Sequence, residues 1–221
     1  MATIKQRIED LIGSDYAVIP ANSRNDLVNA AVSEVADSLP PELLLKYCSN
    51  VTEFTASYDG PEEKKVLLVT RKVSDVTNEL RECTPVPYNE FLRASDSTSM
   101  YEATIQTPVY TYDVTAADNP ILKVHPAPTN DTKAKVWFYL YPIGSTAMDA
   151  STLAGLPDSC LQAIVLRSCI NLLQAYISDF VQDEEDVEMQ GMLTAQIEQL
   201  HKAFVMEMGR FTEQDGTPRG E

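Results

Sequence analysis

The sequence changes from strand-like to helix-like near Pro142, and this change constrains the fold more than any other feature. Residues 123–141 (KVHPAPTNDTKAKVWFYLY) are rich in Val, Trp, Phe and Tyr, which favour β-strands. A short loop of small residues follows, and residues 156–180 (LPDSCLQAIVLRSCINLLQAYISDF) then repeat apolar side chains at helical spacing. The pattern predicts a β module joined to a helix that is apolar enough to need packing partners.

Helical patterns occupy both ends of the chain. In chain order we predict a helix over residues 3–11 that ends at Gly13, an extended segment from Tyr16 to Pro20, a helix from about Arg24 to Ser38 capped by Asn22 or Ser23, and a short helix opened by Pro40 and Pro41. Beyond residue 186 we predict a last helix of about 20 residues. Its predicted inner face consists of Val187, Met192, Leu193, Ile197, Leu200, Phe204 and Met208.

The middle of the chain is rich in Thr, Val, Tyr and Pro and lacks helical periodicity. In chain order we predict one strand over residues 51–59 (VTEFTASYD), a buried strand over 64–73, a sheet edge or exposed loop over 81–95, two short strands broken at Pro108, a strand with a Pro-rich turn over 118–131, and the strongest strand over 133–142. Short strands at even spacing indicate a small antiparallel sheet or sandwich.

These elements predict an α+β fold: a helical bundle from the N- and C-terminal helices with an inserted antiparallel β module. We assign residues 1–50 to the N-terminal helices of the bundle, 51–142 to the β module, 143–209 to the C-terminal helices and 210–221 to a flexible tail. The apolar faces of the last two helices have few partners within the chain, so we expect other subunits to cover part of them.

The charge of the chain limits its partners. A formal net charge of -16 makes nucleic-acid binding through phosphate contacts unfavourable. This charge is compatible with a passive surface along which nucleic acid moves, and equally with acidity that serves solubility. No apolar run reaches about 18 residues, so we expect no membrane span. The first residues, MATIKQRIEDL, lack the apolar core of a secretory signal, so we expect the protein to stay inside the cell that makes it.

Residues that carry chemistry are sparse, and we predict no catalytic, cofactor or metal site. The two histidines, His125 and His201, stand outside any metal-ligand spacing. The four cysteines form no C-x-x-C pair and are predicted to be small buried hydrophobic side chains. Glycine patterns for nucleotide binding and the G-x-S-x-G motif of serine hydrolases do not occur in the sequence.

An acidic run separates the last two helices and consists of Asp183, Glu184, Glu185 and Asp186. It lacks the alternating ligands and central glycine of a calcium loop. One interpretation is a solvated helix start, because carboxylates stabilise helix N-termini. The other is a ring of carboxylates in an oligomer, which lines a channel and repels passing DNA.

Three segments carry a resemblance to a known family: residues 99–113 (SMYEATIQTPVYTYD), 121–142 (ILKVHPAPTNDTKAKVWFYLYP) and 156–180, followed by the acidic run and a last helix. Over roughly residues 65–210 the chain resembles the head-to-tail adaptor (connector) proteins of tailed bacteriophages, and among them those of short-tailed phages. These segments are patterns of apolar residues and prolines rather than catalytic signatures.

The resemblance implies a structural virion protein without enzymatic activity, made in the host cytoplasm and located at the head–tail neck. It implies a dodecameric ring of identical subunits below the portal protein, a contact with a downstream tail protein and non-specific passage of DNA, with no cofactor and no membrane. The portal interface is assigned to Val205, Arg210, Phe211 and Arg219. The tail-component interface is assigned to Pro85, Pro87, Tyr88, Phe91, Pro108, Pro126 and Pro128. The alternatives are another neck or tail component, such as a terminator or stopper, and a small cytosolic hydrolase with dispersed Ser, Asp and His residues.

Overall fold

Helices lie at both ends of the chain and strands lie in its middle. The computed structural model describes residues 2–48, 50–59, 64–74, 76, 79–114, 120–142, 146–180 and 187–213. It is a mixed α and β structure with antiparallel sheets, which confirms the predicted α+β class. The chain divides into two units: a helical unit, Met1–Tyr47 with Tyr141–Glu221, and a β unit, Cys48–Leu140.

The helices in the described part of the chain are α1 (Ile4–Ile12), α2 (Ala21–Ser38), α3 (Pro41–Leu45), α4 (Tyr88–Ala94), α5 (Thr146–Asp149), α6 (Leu161–Phe180) and α7 (Val187–Glu213). Short 3₁₀ turns span Asp15–Val18 and Asp158–Cys160. The strands are β1 (Val51–Phe54), β2 (Ser57–Asp59), β3 (Lys64–Lys72), β4 (Leu80–Glu82), β5 (Thr84–Pro85), β6 (Val109–Val114), β7 (Pro120–His125) and β8 (Ala134–Leu140).

Helix α6 is apolar on almost every side and forms the centre of the helical unit. Ile164, Cys169 and Leu172 are each 0% exposed, and α6 packs against α1, α2 and α7. A helix this apolar is buried either in a protein core or in a membrane. By length and composition the segment Asp158–Ser178, with a mean hydropathy of 1.4, could cross a membrane, but 61% of it is buried inside the structure, as expected for a core helix.

The N-terminal helices follow their sequence signals in part. Helix α1 ends at Gly13 as predicted, with a φ of 75° that glycine adopts without strain. The extended segment predicted from Tyr16 to Pro20 is wrong, because a 3₁₀ turn there buries Tyr16 and Ile19, each 2% exposed. Helix α2 begins directly after Pro20, so the predicted cap Asn22 lies within its first turn, as does the alternative cap, Ser23.

The β unit contains two four-stranded sheets, with strand orders β1-β8-β3-β4 and β2-β7-β6-β5. Neighbouring strands are antiparallel except β5 and β6, which pair in parallel at Thr84 and Pro85. Strand β8 has the strongest strand pattern in the sequence and lies inside its sheet, between β1 and β3. An apolar, β-branched and aromatic strand suits this position because both of its edges are paired.

The chain crosses between the two sheets four times, after β1, β2, β4 and β7. Strands β1 and β2 follow each other in sequence but lie at the edges of different sheets, and the same is true of β4 and β5. Both sheets contribute to one apolar core, as in a β-sandwich. The buried core residues are Phe54, Tyr58, Val69, Cys83, Leu122, Val124, Ala134, Val136 and Phe138.

Two strand predictions need correction. The single strand predicted over residues 51–59 is two strands, because the chain bends between Phe54 and Tyr58 and both rings enter the core, with their centroids 5.9 Å apart. Of the two strands predicted around Pro108, only β6 forms. Residues 101–107 instead contain turns and one isolated bridge.

Residues 81–95 are more regular than predicted. Strands β4 and β5 are sheet edges, as one of the predicted alternatives has it, but helix α4 was missed. Glu90 in its first turn and Arg93 in its last turn both suit the helix dipole. Phe91 and Ala94, three residues apart, are buried.

The edge strand β5 is short and rich in proline. The N–H group of Thr84 donates to the carbonyl oxygen of Pro108, and that of Val86 donates to the carbonyl oxygen of Tyr110, both at 2.9 Å. Both N–H groups therefore point inward, toward β6. Pro85 lies between them and has no N–H group to donate.

Arg71 on β3 connects the sandwich to the loop after β7. Its Nε donates to the carbonyl oxygen of Pro126 at 2.8 Å, and one Nη donates to that of Ala127 at 3.2 Å. The side chain is 4% exposed, and burial lowers the pKa of its guanidinium. Arg71 therefore acts as a buried clamp on backbone carbonyl groups.

Replacing Arg71 by Met should destabilise the β unit by about 2–4 kcal/mol, because two carbonyl groups lose charge-assisted hydrogen bonds. Urea unfolding followed by the fluorescence of Trp137, the one tryptophan in the chain, measures this unit. Arg81→Met is the matched control: Arg81 is half-exposed and pairs with Glu79, so a change below about 0.5 kcal/mol is expected. Equal effects of the two substitutions would refute the clamp.

Candidate assembly surfaces

Titratable side chains are dispersed over the two units. Among the residues that the structure describes, no group of three or more His, Cys, Asp or Glu side chains could hold a metal ion. His125 lies on β7 with its ring edge-on to Phe91 at a centroid distance of 6.3 Å, and burial lowers its pKa. His201 is exposed on α7, 6.5 Å from the ring of Phe204. The two imidazoles thus lie in different units.

The cysteines are free thiols. Cys83, Cys160 and Cys169 are buried, and desolvation raises their pKa values to about 12, about 11 and about 12 respectively. Cys48 is half-buried, and its Sγ–H donates to the carbonyl oxygen of Phe138 at 2.8 Å. A thiol with a raised pKa stays protonated at neutral pH and is a poor nucleophile.

Helix α7 buries only part of its apolar surface. Leu200 and Phe211 are 9% and 5% exposed, whereas Met192 and Met206 are 70% and 76% exposed. The prediction of Met192 as an inner residue is therefore wrong; Leu200 was placed correctly. At about 100° per residue, Met192 lies roughly 80° around the helix from Leu200.

A surface groove follows the first half of α7. Its volume is about 740 Å³, and its lining residues are Glu188, Met189, Met192, Leu193, Ala195, Gln196 and Gln199. Methionine side chains are flexible and adapt to different partners, so they suit a contact surface.

The residues assigned to a portal interface fall into three groups. Val205 is 55% exposed, and the side chain of Arg210 is 72% exposed while bonding Glu207 at 2.8 Å. Phe211 is buried, which corrects its assignment as an exposed anchor. Arg219 lies outside the described residues.

The residues assigned to a tail-component interface also separate by burial. Pro85, Pro87 and Tyr88 are exposed, and Pro126 is half-buried. The assignment of the remaining three as surface contacts is corrected, because they pack inside the β unit; these are Phe91, Pro108 and Pro128. Phe91 lies on the buried side of α4, and Tyr88 and Leu92 lie on its exposed side.

An apolar surface surrounds α4. Leu92 is 53% exposed, and Met100 and Tyr101 in the following loop are 98% and 77% exposed. Beside them lies a shallow cavity of about 390 Å³, lined by Val86, Glu90, Arg93, Ala94, Tyr101 and Val109. Aromatic and methionine side chains of this kind are enriched in protein interfaces. Sequence reasoning assigned Tyr88 to an interface but missed Leu92, Met100 and Tyr101, because it did not find α4.

Sequence reasoning also missed a lysine-lined hollow on the other sheet. Glu53 accepts ion pairs from Lys135 at 2.8 Å and Lys133 at 3.3 Å, and these hydrogen bonds hold the pKa of its carboxyl below the usual range. Lys135 lies on β8 and Lys133 directly precedes this strand, so in extended backbone the two lysines point to the same face. The lysines at alternate positions 133 and 135 were the sequence signal from which this hollow could have been predicted.

Negative charge is concentrated in the helical unit. Its two segments contain 20 of the acidic residues and 8 of the basic ones, a formal charge of -12. The proposed channel residues Asp183, Glu184, Glu185 and Asp186 lie outside the described residues. A strongly negative surface repels a phosphate backbone.

Alkylation of the native protein at pH 8 should modify at most one thiol, Cys48, because the three buried thiols stay protonated below about pH 11. Unfolding in urea before alkylation should make all four thiols reactive. Intact-mass measurement counts the labels, and peptide mapping locates them. Modification of Cys83 in the native protein would show that its thiol is accessible and reactive.

No protein-family model and no curated protein matches the sequence of this chain.

Proposed function

We propose that this chain is a ring-forming head-to-tail adaptor of a tailed bacteriophage, a structural protein that links the portal to the tail. The observation that carries the proposal is a pair of exposed apolar surfaces, one on each unit. Val205 and the methionines extend along α7, while Tyr88, Leu92 and Tyr101 surround α4. Exposed apolar patches mark interaction sites, and a linking subunit needs separate contacts for different partners.

The order of the segments supports the same role. We take the helical unit to be a bundle of N- and C-terminal helices and the β unit to be an insertion in it. This is the arrangement that the resemblance to phage adaptors implies. In the proposed assembly the bundles of neighbouring copies touch and form the ring, which is dodecameric in that family.

Each surface has a proposed partner. The portal protein contacts Val205, Arg210 and the segment that carries Arg219, since arginine often contributes strongly to binding. The downstream tail protein contacts the α4 side of the β unit, including Pro87 and Tyr88. In this assembly the protein acts by docking rather than by catalysis.

The charge of the helical unit fits a DNA conduit. The helical unit has 20 acidic and 8 basic residues, and this excess of negative charge repels phosphate. DNA therefore passes without sequence-specific contact. The protein would then be made in the host cytoplasm and end in the neck of the virion.

Deletion of residues 214–221 should weaken docking to the portal protein of the same phage by at least about tenfold, or 1.4 kcal/mol. The deletion keeps Phe211, whose burial belongs to the helical unit. Mass photometry measures docking, circular dichroism checks folding, and electron micrographs of the wild type should show rings on the portal. Rings without portal affinity would indicate a terminator or stopper instead. The absence of both rings and portal binding would refute the adaptor role.

A further inference from the structure

The exposed side of α7 carries a stripe with a symmetric spacing. We define the α7 stripe as Glu188, Met192, Ala195, Gln199, Ala203, Met206 and Arg210, all of which are exposed. Successive members are three or four residues apart, so they lie on one side of the helix within a band about 80° wide. The spacing is the same in both directions from Gln199.

This symmetry makes the α7 stripe complementary to a second copy of itself. When two copies of α7 lie antiparallel and cross at Gln199, Met192 faces Met206 of the other copy. Ala195 then faces Ala203, and these small side chains let the two backbones approach closely, within the 8–10 Å usual for packed helices. The central Gln199 side chains meet each other and can exchange amide hydrogen bonds.

The charges at the two ends select the antiparallel direction. In that arrangement Glu188 faces Arg210 of the other copy at both ends of the contact. A parallel pair would instead place Glu188 against Glu188 and Arg210 against Arg210, which repel. Arg210 already bonds Glu207, at 2.8 Å, but a guanidinium has five N–H donors and can serve a second carboxylate.

The groove on α7 supports an occupant of this shape. It has a volume of about 740 Å³ and is lined in part by Met192, Ala195 and Gln199, which are members of the stripe. The antiparallel arrangement brings Met206 and Ala203 of the second copy over it. We infer that the chain forms a two-fold homodimer through antiparallel pairing of the α7 stripe.

The size of the contact predicts a reversible dimer. The stripe is about 33 Å long, and a contact about 10 Å wide on each copy covers roughly 700 Å² in total. Stable interfaces usually bury at least about 1,200 Å². Two-fold pairing closes at two copies and does not build a ring. It covers Arg210, which the adaptor proposal assigns to the portal contact, so one α7 helix cannot make both contacts at once.

Two neighbouring residues provide a matched test. Met206→Glu places a carboxylate in the stripe and should weaken self-association at least about tenfold, whereas Val205→Glu lies about 100° away around the helix and should leave it unchanged. Sedimentation velocity over a concentration series should show the wild-type mass rising from 24.5 kDa toward twice that value. A wild type that stays monomeric at all concentrations, or equal effects of the two substitutions, would overturn the inference.

A charge exchange tests the register. Glu188→Arg and Arg210→Glu should each weaken the dimer, and the double variant should restore it because the opposite charges again face each other. Failure of the double variant to recover would contradict the antiparallel pairing.

Disulfide trapping tests the direction independently of any larger assembly. In a Cys48→Ser background, a mixture of Met192→Cys and Met206→Cys proteins should form a mixed disulfide on mild oxidation. Each protein alone should not cross-link. Cross-linking of the Met192→Cys protein with itself would indicate parallel pairing and sink the proposal.

Discussion

The burial of α6 is the constraint on which the rest of the structure depends. Since α6 is apolar nearly all round, it needs α1 and α2 from one end of the chain and α7 from the other. The segment between them must therefore leave the helical unit and return to it. The pairing of β1 with β8 allows this, because Val51 lies opposite Trp137 and the first and last strands of the β unit are neighbours.

Periodicity predicted the fold where a single apolar pattern covers a whole element. Strand β8 and helix α6 are such cases: β8 buries Ala134, Val136 and Phe138 in alternation, and most residues of the first two thirds of α6 are buried. The prediction failed where two structures share one pattern. Phe54 and Tyr58 alternate as in one strand, yet they reach the core from different sheets. Helix α4 was missed because nearby prolines suggested a loop, although Phe91 and Ala94 had helical spacing.

The candidate surfaces were harder to predict than the fold. Residue type favours Phe211, Pro108 and Pro128 as contacts, but only the packed chain shows that they are buried. Met192 looked like a core residue because the predicted inner face of α7 was drawn too wide, by roughly 80°. Burial depends on which neighbours a helix meets, and those neighbours are distant in sequence.

The proline in β5 affects how the sheet edge behaves when many copies of the protein are close together. Sheet edges polymerise when their outward N–H groups find acceptors on another molecule. At this edge Thr84 and Val86 turn their N–H groups inward, and the residue between them, Pro85, has none. A protein packed at high local density thus keeps one rim of its sheet closed to amyloid-like growth, while side chains nearby stay available for specific docking.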